Sequence, residues 1–313
     1  MRPPGPPRLP LPRLQSSSAT ALRPGVADGL RALMTVTRFD LRVERDPIRY
    51  PRGYRERGDV EIAAIFAAML AYGQVDVLIR SVGKVMEIAD HFGGPLACAL
   101  APPKERAEAF RGLVYRWNRG EDFALLFAAL GAAIVEYGSV EALFASYREP
   151  GPRALASALD GGVAWLEAAA RRAGAELGWG DEVRLRAWFA RPAAGSACKR
   201  WCMAMRWLVR PAHEGVDLHL WRSFSPADLV LPLDVHTLRI SRWLGLTGRR
   251  DGSWRTAEEV TAALRSIDPE DPVRFDFALA HLGISGLCRG YRHPDACPQC
   301  PLERCCEAPS RAP

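Results

Sequence analysis

Five of the chain's eight cysteines fall between Cys288 and Cys306. The run CRGYRHPDACPQCPLERCC has the spacing Cys288-x8-Cys297-x2-Cys300-x5-Cys306, or x4 if Cys305 is the last ligand. Four thiolates on one short loop can wrap a single Zn²⁺ or a [4Fe–4S] cube. Zinc ribbons commonly carry two CxxC pairs, and only one is present here. The spacing therefore favours iron–sulfur, with zinc as the alternative. A secreted disulfide framework would spread its cysteines over a small chain. Crowding at one end points to a bound metal in a reducing compartment.

A second candidate is the carboxylate in LPLDVHTLRISRWLGL, residues 231–246. Asp234 stands at the mouth of an amphipathic helix, where a simple N-cap would explain it. Pro232 suits that helix start, because its missing N–H costs nothing there. Upstream, GSACKRWCMAMRWLVR (195–210) is two-faced: at about 100° per residue, Lys199, Arg206 and Arg210 line one side. Trp201, Ala204, Met205 and Leu208 lie opposite. From Gly195 to Arg255 there are ten Lys/Arg against five Asp/Glu. An acid-free basic stripe fits a surface that faces phosphates. Lys199, Arg200, Arg206, Arg210 and Arg239 are thus the candidate nucleic-acid contacts. Asp268, Glu270 and Asp271 read as turn and cap residues, whereas Asp276 is placed to hold an Arg of the stripe. Trp221 and Trp254 either stack on bases or pack under loops.

Helices must position these groups. From Asp59, DVEIAAIFAAMLAYG places Ile62, Ile65, Phe66, Met69 and Leu70 on one face, with Asp59 as its N-cap and Gly73 as its stop. VDVLIRSVGKVMEIADHF, DFALLFAALGAAIVEYG and SVEALFASY (capped by Ser139) follow as helices. Segments around 155–173 and 181–190 add two more. YRWNRGED reads as a helix-joining loop. No strand pattern or internal repeat stands out, so the spacing predicts an all-α protein.

At 313 residues the chain can bury one large core or two smaller ones. Its net charge is +6, and four of the positive charges (Arg2, Arg8, Arg13, Arg23) precede the first acid, Asp28. The remainder is near neutral, so a nucleic-acid reading must rest on local clustering. Residues 1–27 hold seven prolines and little apolar content, which predicts a disordered tail without a secretory signal, with an Arg/Ser-rich transit peptide as the alternative. No apolar run reaches the roughly 20 residues that span a membrane, and a cytoplasmic, nucleoid-associated location is expected.

The blocks LAYG, WNRGED, GSACKR, RWLVR, PLDVH and DPEDPVRFDFAL resemble those of a bacterial family without an assigned function, DUF2400, over residues 40 to 306. More distantly, the cysteine loop and LDVHTLRISRWLGL are similar to the endonuclease III branch of the helix-hairpin-helix DNA glycosylases. That resemblance implies a two-lobed helical fold over residues 28–287, closed by the cluster loop at 288–306. It implies Cys288, Cys297, Cys300 and Cys306 as cluster ligands. It also implies double-stranded, damaged DNA as the partner. Asp234 would stabilise an oxocarbenium-like sugar as a flipped base leaves. Lys199 would attack C1′ to form a Schiff base, and His236 would be structural. Gln74, or Tyr72 beside it, would act on the duplex where the base departs. Two departures stand against the match: Ser196-Ala197-Cys198 replaces the second hairpin glycine, and the Lys-to-Asp gap is 35 residues. They favour the alternative of a non-catalytic iron–sulfur, or zinc, nucleic-acid-binding protein.

Overall fold

The computed structural model describes residues 22–179, 188–212 and 214–310. It is built almost wholly of helices. Thirteen α-helices fall in the described residues, and the only strands among them are two-residue pieces, β1 (Val114–Tyr115) and β2 (Asn118–Arg119), paired antiparallel. No single described helix is long and apolar enough to cross a membrane.

The centre is α3 (Arg57–Met69), whose residues 60–69 are all buried, the alanines as fully as the larger side chains. Small residues let neighbouring helices approach α3 on every side. α10 (Lys199–Val209) packs against it, as does α5 (Pro95–Leu100). α7 (Gly120–Tyr137) lies on α5 and on the long α9 (Ala154–Glu176). The α5–α7 approach depends on Gly131, where a Cβ would run into the Ala99 carbonyl. α8 (Val140–Ser146) follows the left-handed Gly138 and is capped by Ser139, whose Oγ accepts the Ala142 N–H at 3.0 Å. The buried Glu61 of α3 accepts from the N–H groups of Val140 and Glu141, at 3.1 and 2.8 Å, and from Trp221 Nε1 at 2.7 Å. One carboxylate thereby fixes two chain segments to the central helix.

Two expectations change here. Asp59 does not cap its own helix, which begins at Arg57. Its carboxylate accepts the Leu96 N–H at 2.8 Å, holding the start of α5 instead. The expected tail is also shorter at its inner end, because α1 (Val26–Val36) begins within it. Arg23, just before α1, donates to the Trp243 carbonyl at 2.5 Å and pairs with Glu307. These contacts repay its ordering. Residues 1–21 of that tail, and most of the helix expected at 181–190, lie outside the described residues.

The N-terminal helices pack with the C-terminal ones. Phe39 of α2 (Phe39–Val43) stacks on Phe277 of α13 (Asp276–Ile284), with ring centroids 5.6 Å apart. Asp46 approaches His281 of the same helix at 3.6 Å. α13 in turn packs on α11 (Val235–Trp243). α4 (Val75–Asp90), α6 (Pro103–Ala109) and α12 (Trp254–Arg265) complete the helical set.

Candidate functional site

Asp234 is the N-cap of α11, and its two oxygens are divided between two tasks. Oδ1 accepts from the N–H groups of His236 and Thr237, both at 2.9 Å. Oδ2 faces Lys199 Nζ, 3.5 Å away, and the two side chains keep 20% and 34% of their surface exposed. Burial alone would raise the Asp234 pKa. The Lys199 charge, the backbone N–H groups and His236 outweigh it, holding the carboxyl below its ordinary range. The group therefore stays an anion, partly shielded yet open at one edge. Lys199 reaches it from the first residue of α10, 35 positions earlier in the chain.

The turn before Lys199 forms without its second glycine. Gly195 is left-handed (φ 80°), and so is Cys198 (φ 50°). Cys198 adopts a conformation that usually falls to glycine, at a cost on the order of 1–3 kcal/mol. Its thiol donates to the Ala190 and Ser196 carbonyls, at 3.4 and 3.3 Å. The turn is pinned on its other side by the Trp254 N–H, which donates to the Gly195 carbonyl at 3.1 Å.

The basic stripe is not a phosphate-facing surface. Arg206 and Arg210 are each 2% exposed. Arg206 meets Asp217 at 3.1 Å and Asp276 at 3.4 Å. Arg210 meets Asp217, Asp271 at 2.8 Å and Glu214 at 3.2 Å. The expectation that these two arginines contact nucleic acid is corrected. The acids missing from their own helix arrive from other segments, and buried guanidinium groups must be paired. Asp276 does hold an Arg of the stripe. Arg200 is also turned inward: it donates to the Met69 carbonyl at 3.1 Å and lies 5.3 Å from the centroid of the Tyr72 ring. Trp221 and Trp254 are buried and pack in the core.

Asp276 belongs to the surroundings of the Lys199–Asp234 pair. Burial raises its carboxyl pKa, Arg206 and Lys199 oppose the rise, and Asp234 and Asp217 add to it; the result is about 7. In the unfolded chain it would titrate near 4. The folded state thus binds an extra proton between those values. The stability this provides is complete below about pH 4 and is lost as pH rises through about 7. Asp276→Asn should therefore show a smaller drop in thermal midpoint between pH 5 and pH 8 than the unaltered protein. Parallel pH curves for the two would show that this carboxyl does not titrate there.

Arg239 is half-buried on α11, near His236 Nδ1 (3.4 Å) and over the Trp243 ring (5.3 Å). It also abuts the cysteine loop, where a Cβ on Gly290 would lie 3.2 Å from its Nη1. Gln74 is exposed at the N-cap of α4, in the turn after α3.

The cysteine loop separates its five thiols. Burial pushes the Cys300 thiol up to about 11 against the Leu302 N–H, and the Cys306, Cys288 and Cys297 thiols add to the rise. Cys306 is raised by burial and likewise by Cys288 and Cys297. Those four therefore share one electrostatic neighbourhood. Cys305 lies apart from them: its thiol donates to the Leu302 carbonyl at 3.3 Å and packs on Gly29 of α1. Cys297 Sγ accepts the His293 N–H at 3.2 Å, the kind of bond that supports a thiolate ligand. Among the described residues no three His, Cys, Asp or Glu side chains converge closely enough to hold one metal ion.

An open groove of about 610 Å³ lies elsewhere, lined by Tyr50, Tyr54, Met86, Asp90 and His91 among others. None of the residues singled out from the sequence lines it.

A helical protein with a lysine–aspartate pair and a five-cysteine loop is the class these features define. A family model described as "Protein of unknown function (DUF2400)" matches residues 46–285, and the chain belongs to that family. Comparison with curated proteins and with solved structures gave no match.

Proposed function

We propose that this protein binds damaged double-stranded DNA and cleaves the N-glycosidic bond of a flipped base, with or without strand incision, on a helix-hairpin-helix glycosylase-like fold. The observation that carries this reading is the partly exposed Lys199–Asp234 pair at 3.5 Å. Asp234 is held ionised, as an anion that stabilises a developing oxocarbenium must be. Lys199, once its ammonium proton has passed to the departing base, is the amine that attacks C1′, the new C–N bond forming as the glycosidic bond breaks and its electron pair leaves with the base. The packing of α2 against α13, and of α1 against the cysteine loop, supports the same fold, in which the chain's two ends share one lobe.

Cys288, Cys297, Cys300 and Cys306 would hold a [4Fe–4S] cluster, with zinc as the alternative. A donor set of four thiols suits either soft site. The metal would fix the loop against α1 and α11 and supply structure rather than bond cleavage. Cys306→Ser should then lose the visible iron–thiolate absorbance while Cys305→Ser keeps it. Equal loss in both variants, read by absorbance and metal analysis, would contradict this ligand set.

The test of activity is borohydride trapping of the metal-replete protein on duplexes that carry an abasic site or one of a panel of lesions. A covalent adduct or a released base supports the enzyme. Specific duplex binding with neither favours a non-catalytic nucleic-acid-binding protein on the same fold. The strained Cys198 in place of a hairpin glycine is what favours that second reading.

A further inference from the structure

The turn after α3 and the β1–β2 hairpin make an aromatic assembly that the chemistry at Lys199 and Asp234 does not use. Tyr72 and Trp117 are stacked, with centroids 4.7 Å apart and planes 13° from parallel. Tyr115 leans on Tyr72 at 4.8 Å. Tyr72 is locked at several points. Its hydroxyl donates to Asn118 Oδ1 at 2.5 Å, its carbonyl accepts from the Tyr115 hydroxyl, and Arg200 lies against its ring. Trp117, in contrast, is 44% exposed.

Two backbone features hold Trp117 in place. Tyr115 pairs with Asn118, leaving Arg116 and Trp117 as a two-residue turn. Arg116 takes the left-handed conformation (φ 55°) that glycine usually supplies in such a turn. The Arg116 guanidinium lies over Gly73, where any Cβ would come within 2.5 Å of its Nε. Strain of this kind persists where surrounding contacts enforce it.

The nearby charge is positive on balance. Arg116 and Arg200 act on Tyr72. The acid close by, Asp122, is buried and accepts from Asn118 Nδ2 at 3.2 Å and from the Arg119 N–H at 2.9 Å. Exposed Gln74 lies two residues from Tyr72. Arg200 links the assembly to the start of α10, one residue from Lys199.

We propose that Trp117, backed by Tyr72, is a stacking platform for an unpaired DNA base. A flat, braced indole with the exposed Arg116 next to it suits a base's π-face and an adjoining phosphate. The inference rests on the DNA-binding reading. It adds a contact that reads the absence of pairing rather than the identity of the base.

Binding of the full chain to two fluorescein-labelled duplexes, one fully paired and one with a single unpaired thymine, tests it by anisotropy. Trp117→Ala should weaken binding to the unpaired-thymine duplex on the order of ten- to a hundredfold and leave the paired duplex nearly unchanged. Trp117→Phe should recover most of the loss. An unchanged preference in a folded Trp117→Ala, or equal weakening on both duplexes, overturns the platform alone. If the unaltered protein binds neither duplex, the DNA-binding reading fails and the platform fails with it.

Discussion

Lys199→Ala is expected to abolish the borohydride-trapped DNA adduct, and Asp234→Asn to slow base release on the order of 10²–10³-fold while leaving the fold intact. The difference follows from the two oxygens of Asp234. Oδ1 caps α11 and Oδ2 faces the lysine. Asparagine is as good a cap as aspartate, so its amide oxygen can keep both backbone N–H bonds. What it lacks is the negative charge. Asp234→Ala removes the cap as well and should cost about 0.5–2 kcal/mol of stability. Comparing the two substitutions separates chemistry from folding: Asn should match the parent in thermal midpoint and differ in rate. Lys199→Arg keeps the positive charge and loses the nucleophile, so an adduct that survived it would assign the attack elsewhere. If base release and trapping are both unchanged in Lys199→Ala and Asp234→Asn, the pair is an ordinary ion pair and the enzymatic reading falls.

That Lys199 and Asp234 each begin a helix was legible locally, because helix starts carry local signals, whereas their meeting in one site was implied only by the resemblance to the glycosylases. A turn glycine at 195 precedes Lys199, and Pro232 precedes Asp234. The helices at α3, α4, α7, α8 and α9 were legible for a related reason, since apolar spacing and caps are written within each segment. Effects that depend on distant segments were not legible. Nothing near Asp59 indicates that it caps α5 rather than α3. Cys305 and Cys306 are neighbours in sequence, but the chain's course sends one thiol to α1 and the other toward Cys288. WNRGED reads as a loop until the fold sets Trp117 on Tyr72, 45 residues away. The basic stripe misled for the same reason: helical periodicity shows which side chains share a face, and not what that face meets.

Arg210→Ala should therefore cost about 3–5 kcal/mol of stability, the largest loss expected from removing any single charge of the basic stripe. Arg210 binds Asp217, Asp271 and Glu214 while nearly excluded from water. Burial works against its charge, and those three carboxylates more than offset it, raising its pKa above the ordinary arginine value. Deleting the guanidinium strands Asp217, whose side chain has no exposed surface and has only Arg206 left to answer it. Since whole domains are stable by about 5–15 kcal/mol, such a loss is a large fraction of the total, and a lowered urea midpoint should report it. Arg210→Ala combined with Asp217→Asn should recover part of the loss, because it removes the stranded charge. DNA binding supplies the opposing outcome. A phosphate contact at Arg210 would weaken binding without unfolding and would lower the slope of log K against log salt by about one. The buried network predicts that whatever protein remains folded keeps the parent's salt slope, because Arg210 is already neutralised from within.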